Sequence, residues 1–410
     1  MTRFFLIVLA VLSTACGGRK APTIDPLKMQ LALKDTVYNR PVEPELGAER
    51  LQALLQEYPD LKSWEERKKC LRDGLLTAME LDHIRKRNQP LKPLYTGQNT
   101  CERFGYTVDN VAFECFPGLW ITGNLYKPIG DHSSCPAVLF AHGHGRQEPL
   151  ENSPRFAQTR QYLSASLATM GVVVFAYDLF AYGESVYHVG PRGHRTSLTQ
   201  SIVTLSSLRA IDFLTSLKEV DPLRIGMTGE SGGGTQTFLA AAIDERIAVS
   251  VPVVQVSSFF PGGCPCESGR PIHSQCGTLS NNAEIAALAA PRPQLIVSNG
   301  RDWTRTTHEV EYPYVKTIYG YYGKSALVEN AHFAEEGHDY GYSKRSAALR
   351  FFASQWGLDL TLITNEDGMI DESGYTLLPA EKLAVFPDKK LPEGALQTME
   401  DIYVALKSIK

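Results

Sequence analysis

A chain of 410 residues that is 43% hydrophobic has apolar surface enough for a large core, in one large or two ordinary domains. With 41 Lys and Arg against 45 Asp and Glu, its net charge of −4 leaves no basic excess to neutralise phosphates, which argues against a nucleic-acid binder.

The first residues read as an export signal rather than as part of the fold: Arg3 precedes the apolar run Phe4 to Leu12, and Ser13-Thr14-Ala15-Cys16 follows. The run is too short to span a bilayer. Small residues ending in cysteine match a bacterial lipobox, in which Cys16 is acylated and becomes the mature N-terminus. Ordinary signal-peptide cleavage is the alternative, because Ser13 stands where leucine is usual. The expected location is periplasmic or extracellular, with membrane contact only through lipid on Cys16. Residues 16–45 carry Pro22, Pro26, Pro41 and Pro44 without periodicity and read as a linker. Helical spacing over Glu49–Gln56 and Ser63–Arg85, with Leu71, Leu75 and Met79 on one face, then gives a helical extension across 46–105. Beyond Cys16 there are seven cysteines, so at least one has no partner within the chain, and sequence does not give their pairing.

From Tyr106 the period becomes two, through Phe113-Glu114-Cys115 and on through Leu119 to Tyr126, which predicts an antiparallel opening. Apolar strands then alternate with helices. Strands are expected at 137–141, 171–178, 222–227, 248–254, 293–298 and 325–329, and helices at 156–170, 201–217, 235–242, 310–319 and 343–356. That rhythm implies right-handed crossovers and a mostly parallel sheet over 106–358. Two segments interrupt it: the Gly-, Pro- and Cys-rich loop Ser257–Leu279 and the tail 359–410.

Between the strand ending at Met227 and the helix beginning at Thr235 lies Gly229-Glu230-Ser231-Gly232-Gly233. A Gly-x-Ser-x-Gly between strand and helix suits a sharp, strained turn, with small residues where the two elements approach. The helix N-terminus there favours negative charge on an attacking or developing oxyanion. In a parallel sheet the reactive groups gather at the carboxyl ends of strands, and Asp302, His338 and the run His142-Gly143-His144-Gly145 also follow strands. His338 is placed to take the serine proton and Asp302 to orient the imidazole. Glu267 is the runner-up acid, and His332 and His308 are the rival bases.

Taken together with Tyr177-Asp178-Leu179-Phe180-Ala181-Tyr182-Gly183-Glu184-Ser185, Gly300-Arg301-Asp302-Trp303-Thr304 and Glu336-Gly337-His338-Asp339-Tyr340, these motifs resemble extracytoplasmic bacterial α/β-hydrolases of the acetylxylan-esterase-like group, over about 106–358. The resemblance implies an α/β-hydrolase fold and a serine esterase with Ser231, Asp302 and His338 as triad. It implies an oxyanion hole from the backbone amides of Gly232 and His144. Tyr182, Trp303 and Glu267 are expected to line the substrate cleft. The expected reaction is deacetylation of xylan-type carbohydrate esters through an acyl-enzyme. A serine peptidase of prolyl-oligopeptidase type and a non-catalytic binding protein on the same fold are the alternatives.

No cofactor and no metal are expected. His142 and His144 have alternate spacing but no third ligand nearby in sequence, which favours an oxyanion loop. Cys264, Cys266, His273 and Cys276 have zinc-like spacing, yet exported cysteines tend to oxidise, so a disulfide-closed loop at the rim of the cleft is preferred.

Overall fold

The computed structural model describes residues 24–82, 90–130, 134–145 and 153–409. The signal segment and Cys16 lie outside them. Nine strands form one sheet: β1 Leu94–Cys101, β2 Tyr106–Phe116, β3 Leu119–Pro128, β4 Cys135–Ala141, β5 Val173–Tyr177, β6 Val220–Glu230, β7 Ile247–Val253, β8 Gln294–Asn299 and β9 Val328–Phe333. Their order is β1-β2-β3-β5-β4-β6-β7-β8-β9. The first three pair antiparallel, β3 pairs antiparallel with β5, and every pairing from β5 to β9 is parallel. Helix-length connections between parallel neighbours cover both faces, so β4 and β5 are buried along their whole length, and their sequences run apolar without alternation.

Side chains of these strands divide between two cores. Leu139, Phe175 and Tyr177 pack with the helices Leu61–Ala78, Leu198–Ser216 and Gly232–Ile243, while Val138, Phe140 and Val174 pack with Gln158–Thr169 and Tyr342–Trp356. This is the α/β-hydrolase architecture expected from the sequence.

Several boundaries differ. β1 lies inside the stretch read as helical. It is an edge strand, Leu-Tyr-Thr-Gly-Gln-Asn-Thr-Cys, largely exposed and without apolar alternation, so nothing in its pattern announces a strand. The preceding helix ends at Ala78, and Glu80 takes φ 60°. β9 begins at Val328, after a helical turn over Ser325–Leu327. Residues from Ile24 onward are docked rather than free as the linker reading had them. The helix Pro26–Ala32 buries Ala32, Ser197 Oγ donates to the Leu31 and Ala32 carbonyls, and the Tyr38 and Val42 amides donate to Ser268 and Phe259. The tail also returns to the body. Ile402, Tyr403 and Leu406 of the helix Met399–Ser408 are buried in the first core, and the amides of Val385 and Phe386 donate to Glu184.

Candidate active site

Ser231 sits between β6 and the helix Gly232–Ile243 at φ 55° and ψ −120°, a conformation that a non-glycine residue adopts only when its surroundings impose it. The neighbouring glycines make that imposition possible. A Cβ on Gly233 would lie 2.0 Å from the carbonyl oxygen of Ala141, and one on Gly229 would lie 2.3 Å from the same atom. The elbow is thereby pressed against the end of β4.

The ends of β4, β8 and β9 supply the groups around it. His338 Nδ1 lies 2.6 Å from Asp302 Oδ2, with the Asp302 side chain 3% exposed and that of His338 28% exposed. The other Asp302 oxygen accepts from the Thr304 amide and hydroxyl, both at 2.6 Å, which fixes the carboxylate plane. Trp303 lies against His338 with ring centroids 4.2 Å apart and donates its indole N–H to Gln255. The rivals fall elsewhere. His332 contacts Ser298 Oγ and stacks on His308, and Glu267 is buried in the cysteine loop, accepting from the Cys264 amide. Burial raises the Glu267 carboxyl above the usual carboxylate range.

Ser231 borders two hollows. One, of 480 Å³, has His144, Tyr182, His194, Arg195, Glu267 and Trp303 among its walls; the other, of 500 Å³, has Arg160, His338 and Tyr340. A larger hollow of 740 Å³, between the helix Leu61–Ala78 and Asp244–Arg246, has no serine, threonine, cysteine or histidine among its lining residues and shares none of them with this site. Arg160 is paired with Glu230, the residue before the serine. Tyr182 stands edge-on to His194 at 4.6 Å and to His142 at 5.5 Å.

The two histidines after β4 have separate surroundings. His142 donates from Nδ1 to the Gly143 carbonyl and accepts the Leu179 amide on Nε2, and burial pushes its pKa down to about 3, so it is a neutral pin for the loop. The His144 ring lies over Gly232, whose added Cβ would meet its Cε1 at 2.9 Å. Its Nε2 is 3.0 Å from Cys266 Sγ and 3.3 Å from His194 Nε2.

The expected disulfide-closed loop is formed in part. Cys276 is bonded to Cys70, tying the loop to the helix Leu61–Ala78, while Cys264 and Cys266 remain separate thiols. His273 is turned away, against Asn282. The Cys264 thiol is held well below its usual range, chiefly by the hydrogen bond from Cys266 and then by His144 and His194, whereas burial pushes Cys266 up. Neither His194 nor Arg195 was expected at the site, because Gly193-His194-Arg195 lies in a short turn with no motif around it.

Residues 102–261 match the family described as acetyl xylan esterase. Among solved structures, the methylesterase BT1017 superposes with a TM-score of 0.81 at 36% identity, over 91% of this chain and 80% of that one. A glucuronoyl esterase from Solibacter usitatus shares the fold, with a TM-score of 0.53 at 16% identity, over 73% of this chain and 94% of that one. YtaP of Bacillus subtilis (strain 168), which carries a hydrolase name, is 31% identical over 189 residues, or 41% of this chain. The matched stretch spans 61% of the length of YtaP. By the identity and coverage of the methylesterase structure, the chain belongs to the α/β-hydrolase family that includes BT1017, and its residues 102–261 carry the acetyl xylan esterase match.

Proposed function

We propose that this chain is a serine esterase that removes acetyl or similarly small acyl groups from carbohydrate esters of the xylan type. The observation that carries the reading is the His338–Asp302 contact at 2.6 Å in the cleft that opens on the strained Ser231. In this reading His338 accepts the Ser231 proton as Oγ attacks the ester carbonyl, and returns it to the departing sugar hydroxyl. Asp302 holds the Nδ1–H tautomer and stabilises the imidazolium. The amides of Gly232 and His144 receive the oxyanion. Water then cleaves the acyl-enzyme by the same route in reverse.

Hollows on both sides of Ser231 leave room for either half of an ester, and one relative favours a second reading. The 36% identical structure is named a methylesterase; in this reading the sizes would be reversed, with the carbohydrate of this chain's substrate as the acyl part and methanol as the leaving group. Purified protein assayed on acetylated xylan, 4-nitrophenyl acetate and a methyl-esterified acidic polysaccharide separates the two. Acetate release supports the first reading, and methanol release without acetate replaces it with the second. Ser231→Ala is expected to lower kcat on the active substrate by on the order of 10⁴-fold. Full activity in that variant removes the serine mechanism.

The chain is also proposed to work outside the cytoplasm, held by lipid on Cys16. Because the body is docked from Ile24 onward, an acyl group on Cys16 would lie within about 25 Å of it along the chain, the most that the intervening residues can span. No described helix is long and apolar enough to cross a membrane. Cys16→Ser should move the protein from the membrane fraction to the soluble fraction while kcat on a soluble ester is unchanged. An unacylated native N-terminus by mass spectrometry overturns the anchor.

A further inference from the structure

Beside the nucleophile, three segments distant in sequence bring four metal-type donors together: His144 from the loop after β4, His194 from the turn Pro191–Arg195, and Cys264 and Cys266 from the cysteine loop. One donor atom from each lies within 4.8 Å of all the others, and His194, Cys264 and Cys266 are buried. We propose that these residues bind one zinc ion, as a closed His₂Cys₂ site that holds the oxyanion loop in place. The metal site itself stands whether the ester reading above is right or wrong; only its role at the oxyanion loop rests on that reading.

Geometry is the first support. With zinc–nitrogen bonds of 2.0–2.1 Å, two imidazole nitrogens on a tetrahedral ion lie about 3.3–3.4 Å apart. The Nε2 atoms of His144 and His194 are 3.3 Å apart. Unprotonated imidazole nitrogens that face each other at this distance repel unless a proton or a cation lies between them.

The surroundings of the donors are the second support. His194 donates from Nδ1 to the Phe180 carbonyl at 2.6 Å, which leaves the Nε2 lone pair directed at the cluster. A metal-bound histidine is commonly oriented by such a second hydrogen bond. Cys264 Sγ accepts the Glu267 amide, and an N–H aimed at sulfur favours thiolate. Charge also balances: two thiolates neutralise a divalent cation, so the buried site carries no net charge. A donor set of two imidazole nitrogens and two thiolate sulfurs suits zinc over harder ions.

Four protein ligands leave no open position for water or substrate, so the ion is structural rather than a Lewis acid. Its place fits that role. The His144 ring lies over Gly232, and the amides of these two residues are the proposed oxyanion donors. His144 would then be anchored through its ring while its backbone serves the site.

The test uses the full chain, purified without chelator, with one sample as isolated and one incubated with zinc chloride under reducing conditions. Elemental analysis is expected to find about one zinc per chain, with X-ray absorption distances near 2.3 Å to sulfur and near 2.0–2.1 Å to nitrogen. Mass-mapped alkylation should leave Cys264 and Cys266 protected until zinc is removed. In Cys266→Ser and in His194→Gln, zinc affinity should fall by at least about 100-fold. The wild-type readings keep the proposal decidable should either variant fail to fold. No zinc in either sample, zinc with oxygen and nitrogen neighbours only, or a Cys264–Cys266 disulfide that persists in the zinc-incubated sample overturns the proposal.

Discussion

The pair His338 and Asp302 makes a sharp claim about one proton. Asp302 gives one oxygen to Nδ1 of the histidine and the other to Thr304, so an amide in its place would present a donor where an acceptor is needed, or lose the Thr304 contacts by flipping. Asp302→Asn is therefore expected to lower kcat by about 10³–10⁴-fold with little change in folding, measured by initial rates and by near-UV circular dichroism. Glu267→Gln removes a buried carboxylate that contacts the Cys264 amide and does not touch His338, so its cost in kcat should be far smaller. The opposite ranking would make Glu267 the acid. At this scale much was legible in sequence. Gly229-Glu230-Ser231-Gly232-Gly233 declared its turn, and Asp302 and His338 each followed a strand. His194 was not legible. It lies 50 residues from His144 and 70 from Cys264, and only the return of its turn to the end of β4 gives it company.

Among the elements, the packing of β6, its following helix and β4 leaves no spare volume. Gly233→Ala would drive a methyl group to 2.0 Å from the backbone oxygen of Ala141, which cannot swing aside as a side chain can. A loss of about 3 kcal/mol or more, or failure to fold, is expected from such overpacking. The comparison is Gly320→Ala in the helix Glu311–Tyr321, where the added Cβ meets only the Ser325 hydroxyl at 3.2 Å and helix propensity favours alanine. That variant should unfold in urea within about 1 kcal/mol of the wild type. Equal stability of the two variants would mean that the elbow is looser than described. Strands with continuous apolar runs, such as Ala137-Val138-Leu139-Phe140-Ala141, declared themselves because both their faces are covered. β1 did not, since an exposed edge strand is held by backbone hydrogen bonds to β2 and needs no apolar face.

Across the whole molecule, the tail is held by polar groups that composition alone did not reveal. Arg155 is buried between Asp178 and Glu184, at 2.9 Å and 2.6 Å, and the free acceptor capacity of Glu184 takes the Val385 and Phe386 amides. A sequence reading finds Tyr177-Asp178 and Glu184 at a strand end and has no means of seeing that a segment 200 residues later closes over them. The same return involves His188. It accepts the Trp120 amide on Nε2 and donates from Nδ1 to the Leu396 carbonyl, so it bridges β3 and the tail only as the neutral tautomer.

His188 and the equally buried His273 set an acid limit on this arrangement. Burial lowers the pKa of both below the ordinary histidine value of 6.5, that of His273 to about 4. The folded state therefore binds fewer protons than the unfolded chain at pH values below 6.5. The stability these neutral rings permit is fully present above pH 6.5 and is lost as the pH falls from there toward the folded pKa. For His273 the loss amounts to on the order of 3 kcal/mol by pH 4, and His188 adds to the same slope. Urea midpoints measured between pH 7.5 and 5, a range above most carboxylate titration, should fall steadily below about pH 6.5. His273→Gln keeps an N–H for Asn282 and cannot take up a proton, so its midpoint should depend less steeply on pH over that range. A profile flat from pH 7.5 to 5 in the wild type would require these rings to be solvated in the folded state, and the docking of the tail on β3 would have to be redrawn.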